Sequence, residues 1–187
     1  MDTIDIGDIL RADDYAAPLF RGVMALDEFQ KRYGDDGYYV VNTAVSSSSG
    51  EHWLMVRKRG ARVDFFDSYG NHPSMFGGVY ATIRGDETRL VYNDRALQGP
   101  TTTVCGDYCT LLCLTMSRGW SMERFARTLG SVSDSERRDH AVRRFMLRNY
   151  DVDLTSADYD AVLAGVDGTH VAFSGYDDEE LSDGSIG

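Results

Sequence analysis

Residues 97–109 limit the fold of this chain more than any other stretch, since a polar loop there leads directly into a strongly apolar segment. Pro100 and the threonines after it favour extended or turn backbone. From Cys105 to Met116 apolar residues crowd all round a helical projection, which predicts a helix buried in the core. Cys105 then lies in the first turn, where unpaired N–H groups and the helix dipole favour a thiolate. Because Gly106 has no side chain, we expect a substrate to approach closely there.

The three cysteines also have a simpler interpretation. Free cysteine is often a small buried hydrophobe, so Cys105, Cys109 and Cys113 are equally consistent with three core residues. Their spacing puts them on successive turns of one helix, where they cannot close a long loop, and this indicates reduced thiols in a cytosolic or nuclear setting. The spacing contains no Cys-x-x-Cys pair, which argues against a zinc site. We therefore expect no metal.

Length and composition fit one soluble domain. The chain has 187 residues, 42% of them hydrophobic, which is enough for a single domain with a sizeable core. Its apolar runs are too short to span a membrane. The acidic start, Met-Asp-Thr-Ile-Asp, lacks the pattern of a secretory signal. We expect one domain over residues 1–174, no membrane association and no secretion by a signal peptide.

The net charge of −11 is concentrated at one end of the chain. Residues 151–187 hold ten acidic and no basic residues, giving −10, and residues 1–150 hold 20 acidic and 19 basic residues, giving −1. From residue 175 onward Asp, Glu, Ser and Gly dominate, which predicts a disordered acidic tail over residues 175–187. The nearly neutral body contains a local basic cluster of five arginines: Arg137, Arg138, Arg143, Arg144 and Arg148.

Hydrophobic periodicity and turn residues divide the chain into helices and strands. Asp27 and Ser121 are predicted to be the N-caps of two of the helices, and residues 17–23 are predicted to be a loop. Strands are predicted at 38–44, 52–58, 62–67 and 89–93. Helices are predicted at 4–13, 27–33, 74–84, 105–116, 121–130, 135–150 and 157–165.

The strands at 52–58 and 62–67 are predicted to form a hairpin with a two-residue turn at Arg59-Gly60. Opposed residues then have numbers that add up to 119, so His52 faces Asp67 and both side chains point to one side, with Cβ atoms roughly 5 Å apart. A glycine bulge in the turn would instead move the pairing by one residue. The same register pairs the apolar residues of one face: Leu54 with Phe65 and Val56 with Val63.

Four of these residues supply the parts of a thiol protease, which needs a nucleophile, a base, a group that orients the base and donors for the oxyanion. Cys105 is the candidate nucleophile, His52 the base and Asp67 the orienting group. The Cys105 N–H and the side-chain amide of Gln98 are the candidate oxyanion donors. Other interpretations remain: His52 as a strand-end histidine bonded to a carboxylate, Asp67 as the cap of the turn at 68–70, and Gln98 as an exposed loop residue.

Five short motifs follow one another along the chain: Tyr-Val-Val-Asn-Thr-Ala at 39–44, Gly-Glu-His-Trp at 50–53, Phe-Asp-Ser-Tyr-Gly at 66–70, Gln-Gly-Pro at 98–100 and Cys-Gly at 105–106. In this order, and with the spacing Gln-x6-Cys-Gly, they resemble the adenovirus protease family (adenain). The resemblance spans residues 20–117. Wider relatives of that family are the ubiquitin-like-protein proteases, which share His-Trp, an acidic residue, Gln and Cys-Gly.

The resemblance implies roles for the same residues. It implies that His52 is the base and Asp67 the acid that orients it, and that Cys105 is the nucleophile with Gln98 in the oxyanion hole. It also implies an α+β fold with a mixed, mostly antiparallel sheet packed against a buried central helix that carries the cysteine. Adenain has Glu where this chain has Asp67, but the wider clan uses Asp there, so we expect function to survive.

The resemblance also bears on cofactors, because adenain is activated by DNA and by a viral peptide linked through a disulfide. This chain has no cysteine before Cys105, so activation by a peptide would be non-covalent or absent. The basic cluster is either a solvated helix face or a surface for DNA, onto which the acidic tail could fold in competition with DNA. The candidate DNA contacts are Arg137, Arg138, Arg144 and Arg148.

The predicted function is a cysteine endopeptidase that cleaves viral structural precursors at glycine-containing sites during virion maturation. We expect a monomer in the host nucleus or cytoplasm and in the virion, with polypeptide substrates and viral DNA as partners. Two other functions stay open. One is a protease that removes ubiquitin or a ubiquitin-like modifier, which also cleaves after glycine, and the other is a non-catalytic binding module with the same fold.

Overall fold

A computed structural model of the chain describes residues 1–85 and 87–150. These residues form six helices and a five-stranded mixed sheet, which confirms the predicted α+β class. The predicted helix at 157–165 and the predicted tail at 175–187 lie outside the described residues. The strands are β1 (Phe20–Met24), β2 (Gly37–Asn42), β3 (Trp53–Arg59), β4 (Arg62–Phe66) and β5 (Arg89–Tyr92). The helices are α1 (Thr3–Ala12), α2 (Leu26–Arg32), α3 (Gly77–Ile83), α4 (Cys105–Ser117), α5 (Met122–Gly130) and α6 (Ser135–Tyr150).

The strands lie in the order β1-β2-β3-β4-β5. The pairs β2–β3 and β3–β4 are antiparallel, whereas the outer pairs β1–β2 and β4–β5 are parallel. The prediction of a mostly antiparallel sheet is therefore wrong. The reason is that α2 joins β1 to β2 and α3 joins β4 to β5, and such helical connections return the chain to the end of the sheet where it started. The prediction of a loop at residues 17–23 is wrong in part, because β1 lies there. β1 is a short, half-buried edge strand, which leaves little alternation of apolar and polar residues in the sequence.

The hairpin of β3 and β4 has a different register from the predicted one. Numbers of opposed residues add up to 121, for example Val56 with Phe65, so the two-residue turn is Gly60-Ala61. Gly60 has a φ of 55°, and the favoured hairpin turns of this length need a positive φ at their first position. Because the pairing moves by two residues, every side chain keeps its predicted face. His52, just before β3, and Asp67, just after β4, are thus diagonal neighbours on one side of the hairpin.

Helices cover both faces of the sheet. On one face α4 packs together with α1, α5 and α6 against side chains that include Tyr38 and Val40. On the other face α2 and α3 cover side chains that include Tyr39 and Val41. Ten of the 13 residues of α4 are buried, as its composition predicts. None of the described helices is both long enough and apolar enough to cross a membrane.

Side chains fix the starts of two helices near the site. The predicted N-cap at Ser121 is confirmed for α5. The predicted N-cap of α2 at Asp27 is wrong, because Glu28 closes that helix start by accepting the N–H of Ala25. Asp27 instead accepts hydrogen bonds from the N–H and the hydroxyl of Ser46, at 2.8 and 2.9 Å. These two bonds tie the loop between β2 and β3 to α2.

Candidate active site

Cys105 is the first residue of α4, and it is partly exposed. Its sulfur forms a hydrogen bond with the side chain of His52 and further bonds with the backbone N–H groups of Trp53 and Gly106. Burial raises the pKa of this thiol, but the hydrogen bonds and the charge of His52 outweigh burial and lower the pKa below its usual value. The thiolate is therefore favoured mainly by His52, with a smaller part from the N–H of Gly106 in the first turn of α4.

The imidazole of His52 lies between the thiol and a carboxylate. Its Nε2 is 2.6 Å from Oδ1 of Asp67, which leaves Nδ1 as the nitrogen available to Cys105. Burial lowers the pKa of His52, but the hydrogen bonds to Asp67 and Cys105 outweigh it and raise the pKa to about 9. The ring also packs against those of Tyr69 and Phe76, with centroids 5.1 and 6.1 Å away. The lowered pKa of Cys105 and the raised pKa of His52 both favour an imidazolium–thiolate pair over the two neutral groups.

The carboxylate of Asp67 is fully buried, and both of its oxygens accept hydrogen bonds. Besides His52, Oδ1 accepts the N–H of Tyr69 at 3.1 Å. Oδ2 accepts the backbone N–H and the side-chain amide of Asn71, at 3.0 and 2.8 Å. Burial raises the pKa of Asp67, but the hydrogen bond to His52 and those from the backbone outweigh it and lower the pKa. Asp67 thus caps the turn after β4 and holds the imidazole at the same time.

Two asparagines that the sequence analysis missed hold Asp67 in place. Asn71 bonds the carboxylate, and Asn93 bonds the backbone: its Oδ1 accepts the Asp67 N–H at 3.0 Å and its Nδ2 donates to the Asp67 carbonyl at 2.7 Å. Asn93 directly follows β5 just as Asp67 directly follows β4, and these strands are parallel neighbours. The parallel pairing of β4 and β5 brings the residues after their ends together, and the sequence contained no sign of that pairing.

Gln98 is buried in the loop before α4, so its interpretation as an exposed loop residue is wrong. Its Oε1 accepts the hydroxyl of Ser68 at 2.7 Å. Its Nε2 donates to the hydroxyl oxygen of Tyr69 at 3.0 Å and to the carbonyl of Thr102 at 2.6 Å. Both amide hydrogens of Gln98 thus have acceptors. To bind an oxyanion, Gln98 would have to release its hydrogen bond to Tyr69 and donate that hydrogen to the oxyanion.

Gly106 does not provide the open approach that we expected for a substrate. A Cβ atom at this position would lie 3.2 Å from Ile6 Cδ1, 3.2 Å from Trp53 Cδ1 and 3.3 Å from the carbonyl oxygen of Met1. A side chain here would push these neighbours apart by a few tenths of an ångström, because α1 and the start of β3 pack directly onto the first turn of α4. The expectation is wrong because the partner that fills this space, α1, lies about a hundred residues away in the sequence.

A cavity of about 670 Å³ opens beside Cys105. Trp53 and Thr103 line it together with Cys105. The rest of its wall comes from residues 1–3, from the end of β1 and the start of α2, and from the end of β2 and the loop that follows it. Three carboxylates belong to this wall: Asp2, Glu28 and Glu51. Its volume lies in the range of ligand-binding clefts, and Cys105 is part of its wall.

The basic cluster on α6 is only partly available to a ligand. The guanidinium of Arg138 is buried and donates to the carbonyls of Leu97 and Val132, both at 2.5 Å, so the prediction that it contacts DNA is wrong. The amphipathic pattern did not reveal that a charged residue of α6 faces inward. Arg143 is paired with buried Asp107 at 2.8 Å. The other three members of the cluster face outward to differing degrees: Arg137 and Arg148 are exposed and Arg144 is half-buried.

Comparison with known proteins adds no family to this picture. No family model matches the sequence, and no curated protein matches it either.

Proposed function

We propose that the protein is a cysteine endopeptidase of the adenain type, with Cys105 as nucleophile, His52 as general base and acid, and Asp67 as the group that orients His52. The observation that carries this proposal is the placement of one imidazole between a carboxylate, at 2.6 Å, and a thiol at the start of a buried helix. A nucleophile, a base and an orienting group in this chain of contacts are what acyl transfer by a thiol requires.

The reaction begins with the ion pair of Cys105 and His52. The thiolate attacks the carbonyl carbon of the peptide bond, a C–S bond forms, and the carbonyl oxygen becomes an oxyanion. The imidazolium then gives its proton to the amine that leaves as the C–N bond breaks, and a thioester remains. Neutral His52 next removes a proton from water, which attacks the thioester, releases the acid and restores the thiolate.

The oxyanion is stabilised by donors at the start of α4. The N–H of Cys105 is one of the first N–H groups of that helix, which have no partner within it. The second donor is the amide of Gln98, whose N–H to Tyr69 turns to the oxyanion as charge develops there. Loss of one such donor typically lowers kcat by about 10²–10³-fold, so we expect Gln98→Ala to lower kcat by an amount in that range.

The substrates we propose are polypeptides cleaved beside glycine, such as the structural precursors of a virus particle. The resemblance to adenain supports this choice, and so does the cavity whose wall includes Cys105 and Trp53. A protease that removes a ubiquitin-like modifier also has to cleave a bond after glycine.

The test is labelling with a short peptide that ends in a glycine vinyl sulfone, which alkylates a thiolate held in a protease site. We expect wild-type protein to be labelled at Cys105, and Cys105→Ala and His52→Ala to lose labelling. His72→Gln is the matched control, since His72 is an exposed histidine outside the contacts of Cys105. Labelling of His52→Ala at the wild-type rate would contradict the mechanism.

Cleavage assays then separate the substrate classes. We expect a capsid-precursor peptide with an internal glycine site to be cut faster than a conjugate of a di-glycine modifier. The reverse preference would make the protein a deconjugating protease, and no cleavage together with equal alkylation of Cys105, Cys109 and Cys113 would make it a binding module.

A further inference from the structure

The loop that carries Gln98 is tied to α6 by a buried carboxylate. Asp139 is 1% exposed. Its Oδ2 accepts the N–H of Gly99 at 2.8 Å and the hydroxyl of Thr102 at 2.6 Å. Its Oδ1 accepts the hydroxyl of Tyr108, on α4, at 2.7 Å. One side chain of α6 thereby joins the loop to the helix that begins with the nucleophile.

These bonds reach Gln98 from both sides. On one side, the hydroxyl of Tyr108 shares its one hydrogen between Asp139 and the carbonyl of Leu97, which is 3.2 Å away. On the other side, the hydroxyl of Thr102 donates a hydrogen bond to Asp139. The carbonyl of Thr102 accepts a hydrogen bond from Nε2 of Gln98 at 2.6 Å. Asp139 therefore sets the position of the group that orients the Gln98 amide, without touching that amide itself.

A carboxylate in this position needs an explanation beyond packing. Burying a charged group is costly unless hydrogen bonds compensate it, and an apolar side chain would fill the same space at a lower cost. The three donors to Asp139 are neutral, and two of them lie on the loop of Gln98. A single carboxylate can hold these donors in fixed directions, which suits a group that must be preorganised before charge develops nearby.

We propose that Asp139 is a positioning residue for the oxyanion hole, acting through Thr102 on Gln98. This inference rests on the proposed protease function. It predicts that Asp139 affects the step in which the oxyanion forms and leaves the reactivity of the thiolate unchanged, because Cys105 is activated by His52 and not by the loop.

The experiment measures turnover of a fluorogenic peptide amide with glycine at the cleaved bond, and alkylation of Cys105 by iodoacetamide, which forms no oxyanion. Asparagine has the shape of aspartate but only one oxygen acceptor, so Asp139→Asn breaks at least one of the contacts. We expect kcat to fall about 10-fold or more, towards the loss seen when an oxyanion donor is removed, with little change in KM. The rate of alkylation should equal that of wild type.

A double variant distinguishes positioning from a general structural effect. If Asp139 acts through Gln98, then Asp139→Asn combined with Gln98→Ala should be no slower than Gln98→Ala alone. Asp13→Asn is the matched control, since Asp13 is also a buried carboxylate, bound to Arg118 and to backbone N–H groups away from the loop. We expect that control to lower the urea midpoint and to leave kcat unchanged.

Three results would overturn the inference while wild-type protein still cleaves peptides: unchanged kcat in a folded Asp139→Asn, full additivity with Gln98→Ala, or an equal loss of alkylation. If Asp139→Asn does not fold, Thr102→Val removes only the hydroxyl that bonds Asp139, and the same fall in kcat is expected of it. A wild-type protein that cleaves no peptide and shows no fast alkylation at Cys105 would overturn the proposed function, and the inference with it.

Discussion

Replacing Asp67 with asparagine tests the site most directly, because it removes the charge beside His52 and keeps the shape. The pKa of His52 is raised from its usual 6.5 to about 9. That increase corresponds to about 3 kcal/mol of preference for the imidazolium, and the His52 side chain is only 15% exposed, so solvent screens the contact weakly. Cys105 supplies part of this increase, so Asp67→Asn should lower the imidazolium fraction at pH 8 below the wild-type value of about 90% without removing the whole effect.

The pH dependence of kcat/KM reports this change. Wild-type activity should rise with pH through the lowered pKa of Cys105 and fall only as His52 loses its proton near pH 9. In Asp67→Asn the alkaline fall should move to lower pH, by the part of the increase that Asp67 supplies and Cys105 does not. The pKa of Cys105 should move up in return, because the two groups titrate as a coupled pair, and its alkylation by iodoacetamide should then begin at higher pH.

The same raised pKa makes a contribution to stability with a definite sign. His52 binds its proton more tightly in the folded protein, so its contribution is fully present below about pH 6.5 and is lost as pH rises through about 9.

Asp64→Asn is the matched control for the pH profile of Asp67→Asn, since Asp64 is a buried aspartate of β4 that pairs with Arg62. An alkaline fall in kcat/KM that stays near pH 9 in Asp67→Asn would refute the assignment of Asp67.

Two further predictions concern packing around the nucleophile, and urea unfolding measures both. Gly106→Ala should lower the free energy of unfolding by about 1–3 kcal/mol, because the new methyl group overpacks a closed contact. Gly77→Ala, whose Cβ would meet nothing within 4 Å, should not be destabilising, and equal losses in both variants would contradict this explanation. Arg143→Ala should cost up to about 3–5 kcal/mol, since it leaves the buried carboxylate of Asp107 with only the N-terminal ammonium of Met1, 4.0 Å away, as a cationic partner. Arg137→Ala, at an exposed position, should change stability by less than about 0.5 kcal/mol, and a similar loss in the two variants would mean that the buried pair is not the cause.

Sequence alone was sufficient where the information is local. The apolar composition of residues 105–116 predicts a buried helix, and the structure has α4 at Cys105–Ser117. Ser121 and the fragment after it predict a capped helix for the same reason. His52 and Asp67 could be paired because alternation along two adjacent strands fixes the side of the sheet that each residue faces, even though the register was wrong by two residues.

Sequence was insufficient where the deciding contact joins distant segments. Ile6 of α1 packs closely on Gly106. Arg138 faces inward because its guanidinium donates a hydrogen bond to the carbonyl of Leu97. No periodic pattern records such partners. The direction of β1 and β5 likewise depends on which edge of the sheet each joins, and nothing in their own residues decides it.

The turn at Gly60-Ala61 has a consequence for how this chain can change over evolution. It is exposed and lies at the end of the hairpin farthest from the nucleophile, where loops usually tolerate insertions and deletions. Yet the number of residues between His52 and Asp67 decides whether these two side chains meet. One extra residue in β3 would turn His52, and one in β4 would turn Asp67, towards the opposite face of the sheet. A mutation at this distant surface could thus silence the chemistry while every residue that performs it remained in the chain.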